Sequence, residues 1–492
     1  MSPQPPRRER IRRSLYSTLG GSTAIGAALV ATAVAAMGCS GRDPRPNVLL
    51  VVVTGLRADH VSSYGYPRTT TPSIDALAAE GALFQTAIAP AGWGPSSQAS
   101  MLTGLYPSEH AVSFDHPIIE GSLQTVAEGL KASGYATFAA SADPAIGPRS
   151  GFGQGFDRFV EIDPAAEGLP DEGASRVESE LLGWLDSRAS DGSPFFAYLV
   201  MVNPQLPFNP PGEYRQKYLD RPVPLPRLER LSELWIPFAR QINLEVATIS
   251  EDDLRAMTGL YDGEVGYADY RLGRIVEGLR GDGLLDGTLV IVTSDAGEDL
   301  AEHGVIADAS SLFDSIIHVP LVMRLPERIA AGLRVADQVQ THDVAGAIAK
   351  LTAADWRPGS GEPPMPLRAV AVSEARFEPA ALRYYQSIAP GVDLSPYERN
   401  LLSVRTPELK YVLTSRNTAA LFDLKADPGE RASVLDSRQD DAAQMAGRLG
   451  EWIARLSAPA WPQGPPSGER GQPAAAGQPA PAGSGVPAAE GR

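Results

Sequence analysis

Short runs of apolar residues, five to eight long, punctuate this chain at intervals. The run Asn47–Val53 reads NVLLVVV, too short for a helix of its own and apolar after its first residue. That is the pattern of a central strand covered on both faces. Further runs stand at Ala136–Ala140, Phe195–Val202, Thr288–Thr293 and Val319–Met323. Helical patterns lie between them. Asp75–Gly81 follows Thr71-Pro72, a natural helix start, and Ser122–Ser133 ends at Ser133-Gly134, a stop signal. Ser250–Leu279 carries a capping Ser250 with Asp253 three residues on, and an apolar stripe through Leu254, Met257, Tyr261, Val265, Ala268, Leu272, Ile275 and Leu279. Strands alternating with helices predict an α/β fold with a large, mostly parallel sheet between helices. Sites in such folds sit at the carboxyl ends of the strands.

The pattern breaks at the proline-rich stretch Pro358–Pro366. Beyond it, Ala369–Ser373, Leu401–Arg405, Leu409–Thr414 and Ala420–Leu424 are short apolar runs joined by turn formers such as Thr406-Pro407 and Asp427-Pro428-Gly429. They predict a small antiparallel sheet, closed by a helix over about 440–456. The end, 458–492, is dense in Pro, Ala and Gly and offers no apolar face, so it reads as a disordered tail. The expected organisation is a leader over 1–38, a spacer over 39–45, an N-terminal α/β domain over 46–357, a C-terminal sheet subdomain over 366–457, and the tail.

Charge changes the picture by exclusion. The formal net charge is −16, which argues against a protein that tracks nucleic-acid phosphates. It also makes a densely sulfated polyanion an awkward partner. The N-terminus is the exception. Arg7, Arg8, Arg10, Arg12 and Arg13 precede an apolar, small-residue run from Leu19 to Met37, and then Ala36-Met37-Gly38-Cys39-Ser40. A basic start, an apolar middle and small residues before a cut describe an export signal. The junction resembles the lipobox of bacterial lipoproteins, in which the cysteine is lipidated and becomes residue one. Cys39 is the only cysteine, so no disulfide forms within the chain. The expected location is the bacterial cell envelope, with a lipid anchor at Cys39; an uncleaved signal anchor is the alternative, because the run nearly spans a bilayer.

Several phrases stand in an informative order: PNVLLVVV with LRADHVSSYGYPRTTTPSIDALAAEG (46–81), ASMLTGLYPSEHAV (99–112), GFGQGFDRF (151–159), LYDGEVGYADYRLGRIVEGLRGDGLLDGTLVIVTSD (260–295), and LKYVL with LFDLKADPGE (409–430). Together they resemble the sulfatase family of the alkaline-phosphatase superfamily. The resemblance implies a mixed α/β sandwich with a smaller C-terminal sheet, in agreement with the pattern above.

The resemblance also implies four chemical parts. These are a Cys or Ser converted to formylglycine, whose hydrate attacks sulfur; a calcium ion held by carboxylates and an amide; cationic donors to the sulfate oxygens; and an acid for the leaving oxygen. Most are substituted here. Thr54 stands where the first strand should end in a metal-binding Asp. Anchored on Trp93 and Ala99-Ser100, Gly94 stands at the nucleophile and Gln98 at the Arg or His; an alternative register places Trp93 at the nucleophile. Ser96 and Ser97 are near, with no evident base. Val200 and Gln205 occupy the two histidine positions of a His-x-x-Asp-Pro-His-x-Pro-like segment. Asp295 remains at the second cation motif, beside Ala296, and Asp308 stands where a later His or Lys is expected. Asp295 alone is at most a vestigial metal ligand. Arg57, Asp59, His60 and His303 read as scaffold. The expectation is therefore a family member with no catalytic residue at the usual positions and no calcium cofactor, acting by binding an unknown ligand or partner and not nucleic acid. The alternative is an active sulfuric or phosphoric ester hydrolase with a rearranged site.

Overall fold

The computed structural model describes residues 45–456, except 234, 246, 307–310, 354–363, 378 and 396. The expected leader, including Cys39, the C-terminal tail and Asp308 lie outside the described residues. Nine strands build the main sheet: β1 (Asn47–Val53), β2 (Ala82–Ile88), β3 (Ala136–Ser141), β4 (Arg158–Glu161), β5 (Phe195–Met201), β6 (Thr288–Thr293), β7 (His318–Val319), β8 (Leu321–Arg324) and β9 (Leu333–Gln340). Their order is β4-β3-β5-β1-β6-β8-β2-β7, with β9 beside β2. The run from β4 to β6 is parallel throughout. β1 is its centre, pairing Val48–Val53 with Phe196–Met201 on one side and Asn47–Val52 with Thr288–Thr293 on the other.

The helices used below are α1 (Pro72–Glu80), α2 (Gly94–Thr103), α3 (Val126–Ala132), α4 (Ala174–Ser187), α5 (Trp235–Asn243), α6 (Glu251–Gly281), α7 (Val344–Thr352), α8 (Pro379–Ile388) and α9 (Gln439–Ile453). Alternate residues of β1 feed two cores. Leu49, Val51 and Val53 pack with Met257, Leu260, Leu272 and Ile275 of α6; Val48, Leu50 and Val52 share the other core with Met101 of α2 and Ile348 of α7. This is why NVLLVVV shows no polar alternation: both faces of the strand are dry.

Three expected elements differ in detail. Val319–Met323 is not one strand, because Pro320 separates β7 from β8. Proline has no N–H to give the ladder. Both pieces pair antiparallel, β8 with β6 and β7 with β2, so this side of the sheet is mixed. The helix expected from Ser122 begins four residues later, at Val126, where Thr125 caps α3: its hydroxyl accepts from Glu128 N–H, and Glu128 Oε2 accepts from Thr125 N–H at 2.9 Å. The helix after Thr71 begins at Pro72, whose missing N–H costs nothing in a first turn. The long helix α6 begins as expected, with Ser250 Oγ accepting from Asp253 N–H at 3.1 Å.

The second sheet is antiparallel, β10 (Ala371–Ala375), β11 (Leu401–Arg405), β12 (Leu409–Thr414) and β13 (Ala419–Asp423), in that order. α9 closes one face, with Met445 and Leu449 packed on Val404 and Leu421. A buried ionic knot joins this sheet to the large one. Lys410 of β12 is fully buried and meets Asp314 at 2.8 Å, Glu430 at 2.6 Å and the Leu312 carbonyl at 2.8 Å. Arg405 of β11 holds the other Asp314 oxygen at 2.8 Å.

Candidate active site

β1, β3, β5 and β6 all end on the same edge of the sheet, and the residue just past each end faces a common cavity of about 360 Å³. Thr54 follows β1, Asp143 lies two residues past β3, Gln205 lies four past β5, and Asp295 lies two past β6. The first turn of α2 supplies Gly94 and Pro95, and α5, α8 and Tyr397 supply Ala239, Arg240, Asn243, Leu382 and Tyr385. Of the six remote positions singled out in the sequence, Thr54, Gly94, Gln205 and Asp295 line this one cavity. Gln98 lies behind it, one helical turn from Gly94, and reaches it through Asp295.

Asp295 is the hub. It is fully buried; its Oδ1 accepts from the Ala296 N–H at 2.7 Å and its Oδ2 from the Gln98 side-chain amide at 2.6 Å. Gln98 Oε1 in turn accepts from the hydroxyl of buried Tyr198 on β5. Burial pushes the Asp295 carboxyl up to about 6, against the pull of the Gln98 hydrogen bond and with a further push from nearby Asp143. A side chain at position 94 would begin in the same space: a Cβ there would lie 2.5 Å from Asp295 Oδ2. Position 94 must therefore be glycine unless Asp295 moves. Trp93, the alternative register's nucleophile position, also lines the cavity and stacks on Phe114 at 4.4 Å.

Gly55 shows why the wall beside Thr54 is close-built. Its φ is +85°, and a Cβ would meet the Pro204 carbonyl oxygen at 2.5 Å. Asn203, just before that proline, donates from Nδ2 to Glu264 of α6 at 2.5 Å, and Asn209 N–H reaches the other oxygen of Glu264 at 2.8 Å. Burial pushes Glu264 up to about 8.

The lining hydroxyls are those of Thr54, Tyr385 and Tyr397. Among the described residues the Thr54 Oγ1 has no hydrogen-bond partner, and Thr54 is 1% exposed. Ser96 Oγ is committed to the Val112 carbonyl at 2.9 Å, and Ser97 is buried away from the cavity lining. Val200 is buried within β5. The scaffold residues make structural bonds. His60 Nδ1 meets Asp262 at 2.7 Å; Arg57 spans Asp59 at 2.8 Å and Glu302 at 2.6 Å. His303 meets Asp299 at 2.5 Å and the Gly429 carbonyl at 3.0 Å, stacked on Phe313.

Family comparison follows this geometry. Residues 46–354 match the family model described as Sulfatase. The chain belongs to the sulfatase family. Relatives of this sulfatase-family chain include the multifunctional alkaline phosphatase superfamily protein PehA of Trinickia caryophylli, 27% identical over 79% of this chain and 91% of that protein. The iduronate 2-sulfatase of Mus musculus is 26% identical over 67% of each chain, and the ulvan-active sulfatase of Formosa agariphila 24% identical over 84% of this chain and 82% of its own. Among solved structures, the phosphonate monoester hydrolase of Agrobacterium radiobacter superposes with a TM-score of 0.64, at 23% identity over 83% of this chain and 95% of that one.

Calcium does not fit the residues present. Of the positions that the family resemblance assigns to it, Thr54 offers a hydroxyl and Ala296 a methyl group. Both oxygens of Asp295 already receive N–H donors, and the Gln98 group facing it is a donor, which opposes a cation. Among the described residues no group of three or more His, Cys, Asp or Glu side chains is placed to hold a metal ion.

Several lining residues escaped sequence reasoning. Asp143 was readable in principle: Ser141-Ala142-Asp143 after an apolar strand repeats Thr293-Ser294-Asp295. Its Oδ1 accepts from Ala145 N–H at 2.8 Å, and burial pushes its carboxyl up. Glu298, three residues past Asp295, is pushed up to about 8 by burial and by Asp295 and Asp299. Arg240, Asn243, Tyr385 and Tyr397 come from segments distant in sequence from any motif.

Proposed function

We propose that this sulfatase-family protein binds its ligand without hydrolysing it. The observation that carries the reading is the contact between position 94 and Asp295: the space for a nucleophilic side chain holds a carboxylate instead. A carboxylate at that point also repels the anionic esters that relatives of this family are named for. An ester hydrolase with a rearranged site is the second reading, and the unpartnered Thr54 hydroxyl favours it.

One assay separates the two. Purified protein is expected to turn over p-nitrophenyl sulfate and p-nitrophenyl phenylphosphonate no faster than a heat-denatured control, with or without added calcium or manganese. Turnover that disappears in Thr54→Val would establish the second reading.

We propose also that the protein is exported and held at the bacterial envelope by lipid on Cys39. The basic start, the apolar run and Gly38-Cys39 support this. Among the described residues no helix is long and apolar enough to cross a membrane. Membrane fractions of cells making the full chain should yield a mature N-terminus at Cys39 carrying acyl mass, and Cys39→Ser should leave the precursor uncut. An intact Met1 on the wild-type membrane form would favour the signal anchor.

A further inference from the structure

The charge around the cavity is opposite to what an ester anion needs. Among the described lining residues, Asp143, Asp295 and Glu298 bring three carboxyl groups and Arg240 one guanidinium. That guanidinium lies over the Tyr384 ring, 5.0 Å from its centre. The positive end of α2 would ordinarily invite an anion. Here the Asp295 carboxylate already sits against its first residue. Glu298 receives no side-chain or backbone hydrogen bond from the described residues, although its own carbonyl accepts from Arg57 at 3.0 Å. A second and independent observation points the same way. Thr54, 1% exposed, lines the wall, and its Oγ1 has no hydrogen-bond partner among the described residues, which leaves its lone pairs free to accept from an ammonium N–H. The wall also carries the apolar and aromatic side chains of Trp93, Leu206, Ile306, Ile316 and Leu382, beside the amides of Gln205 and Asn243.

We propose that this cavity is a binding site for an organic cation, a protonated amine carried on an apolar or aromatic body. The ammonium group gives hydrogen bonds to Glu298 and to Thr54 Oγ1 and offsets the charge of Asp295 and Asp143 without a metal ion. The body of the ligand lies against the aromatic and aliphatic wall, where burial and ring contact add to the affinity. The volume, about 360 Å³, is that of a small-molecule pocket and excludes a folded partner. This inference rests on the reading that the site binds and does not hydrolyse.

Titration calorimetry with three probes of one shape tests it: phenethylammonium chloride, phenethyl alcohol and phenethyl sulfate. The ammonium probe is expected to bind at least about tenfold tighter than the alcohol, the sulfate not at all, and Glu298→Gln to remove about tenfold from the ammonium affinity alone. Asp143→Asn serves as a second variant, and melting curves of both variants establish that they fold. Equal binding of ammonium and alcohol, preference for the sulfate, or no binding of any probe overturns the proposal. These failures are separable from failure of the functional reading, which is decided by turnover of the ester substrates.

Discussion

Lys410→Met is expected to destabilise the protein by about 3–5 kcal/mol, the cost of stranding a buried charge. Lys410 is fully buried, and its ammonium faces buried Glu430 and partly buried Asp314. Burial alone would raise the Asp314 carboxyl; Lys410 and Arg405 instead hold it well below the usual carboxylate range. Burial pushes Glu430 up, with Lys410 opposing. Methionine fills the volume of the lysine stem, so the loss measured is electrostatic. With Lys410 gone, Arg405 still serves Asp314, but Glu430 is left facing it with no cation of its own. The double variant Lys410→Met, Glu430→Gln, which leaves Asp314 paired with Arg405, should recover much of the loss, since removing both charges of a buried pair costs far less than removing one. Urea unfolding monitored by tryptophan fluorescence gives both numbers. A single-variant change under about 1 kcal/mol would mean that water reaches this knot.

Gln98→Leu is expected to cost about 2–4 kcal/mol at neutral pH, because it takes a donor from Asp295 and an acceptor from Tyr198 at once. The effect has a pH sign. The Asp295 carboxyl is raised to about 6 in the folded protein, above its ordinary value of 3.8. The folded chain therefore binds the extra proton between those values, and its stability falls as pH rises through that window. Once protonated, Asp295 is neutral and loses little when the Gln98 amide is removed. The deficit of Gln98→Leu against the parent should thus be larger at pH 8 than at pH 5. In an Asp295→Asn background the same change should cost distinctly less, since no charge is left to strand. Paired denaturation curves at the two pH values test this. A deficit that is equal at both, or larger at pH 5, would show that Asp295 does not depend on Gln98 for its charge.

The cavity and the knot differ in how far the chain announces them. β11 and β12 were legible to the residue, as Leu401–Arg405 and Leu409–Thr414, since short apolar runs between turn formers leave little freedom. Yet nothing in LKYVLT says that its lysine is fully buried; a lysine at an alternate position reads as solvent-facing until a second layer covers it. β2 and β9 were harder to read. ALFQTAI interrupts its apolar run with Gln85 and Thr86, and LRVADQVQ carries charges, because both lie toward the edge of the sheet, where some side chains meet water. α5 and α8 carry no motif, and they matter only because they close over the strand ends.

By itself, the sequence determined the alternation of strand and helix and the parallel centre of the sheet, and it raised the expectation that Thr54, Gly94, Gln98 and Gln205 stand where the sulfatase resemblance implies other side chains. These are local matters: hydrophobic period, cap and turn chemistry, and residue identity at each position. Only the tertiary structure decided that Asp295 is served by Gln98 and by its neighbour's N–H, and that its carboxylate occupies the space beside Gly94. The structure also brought Asp143 and Glu298 to the same cavity wall. Those facts depend on where the ends of β1, β3, β5 and β6 lie relative to α2. Residues about two hundred apart in the chain meet there because parallel strands align their carboxyl ends, which no local pattern encodes.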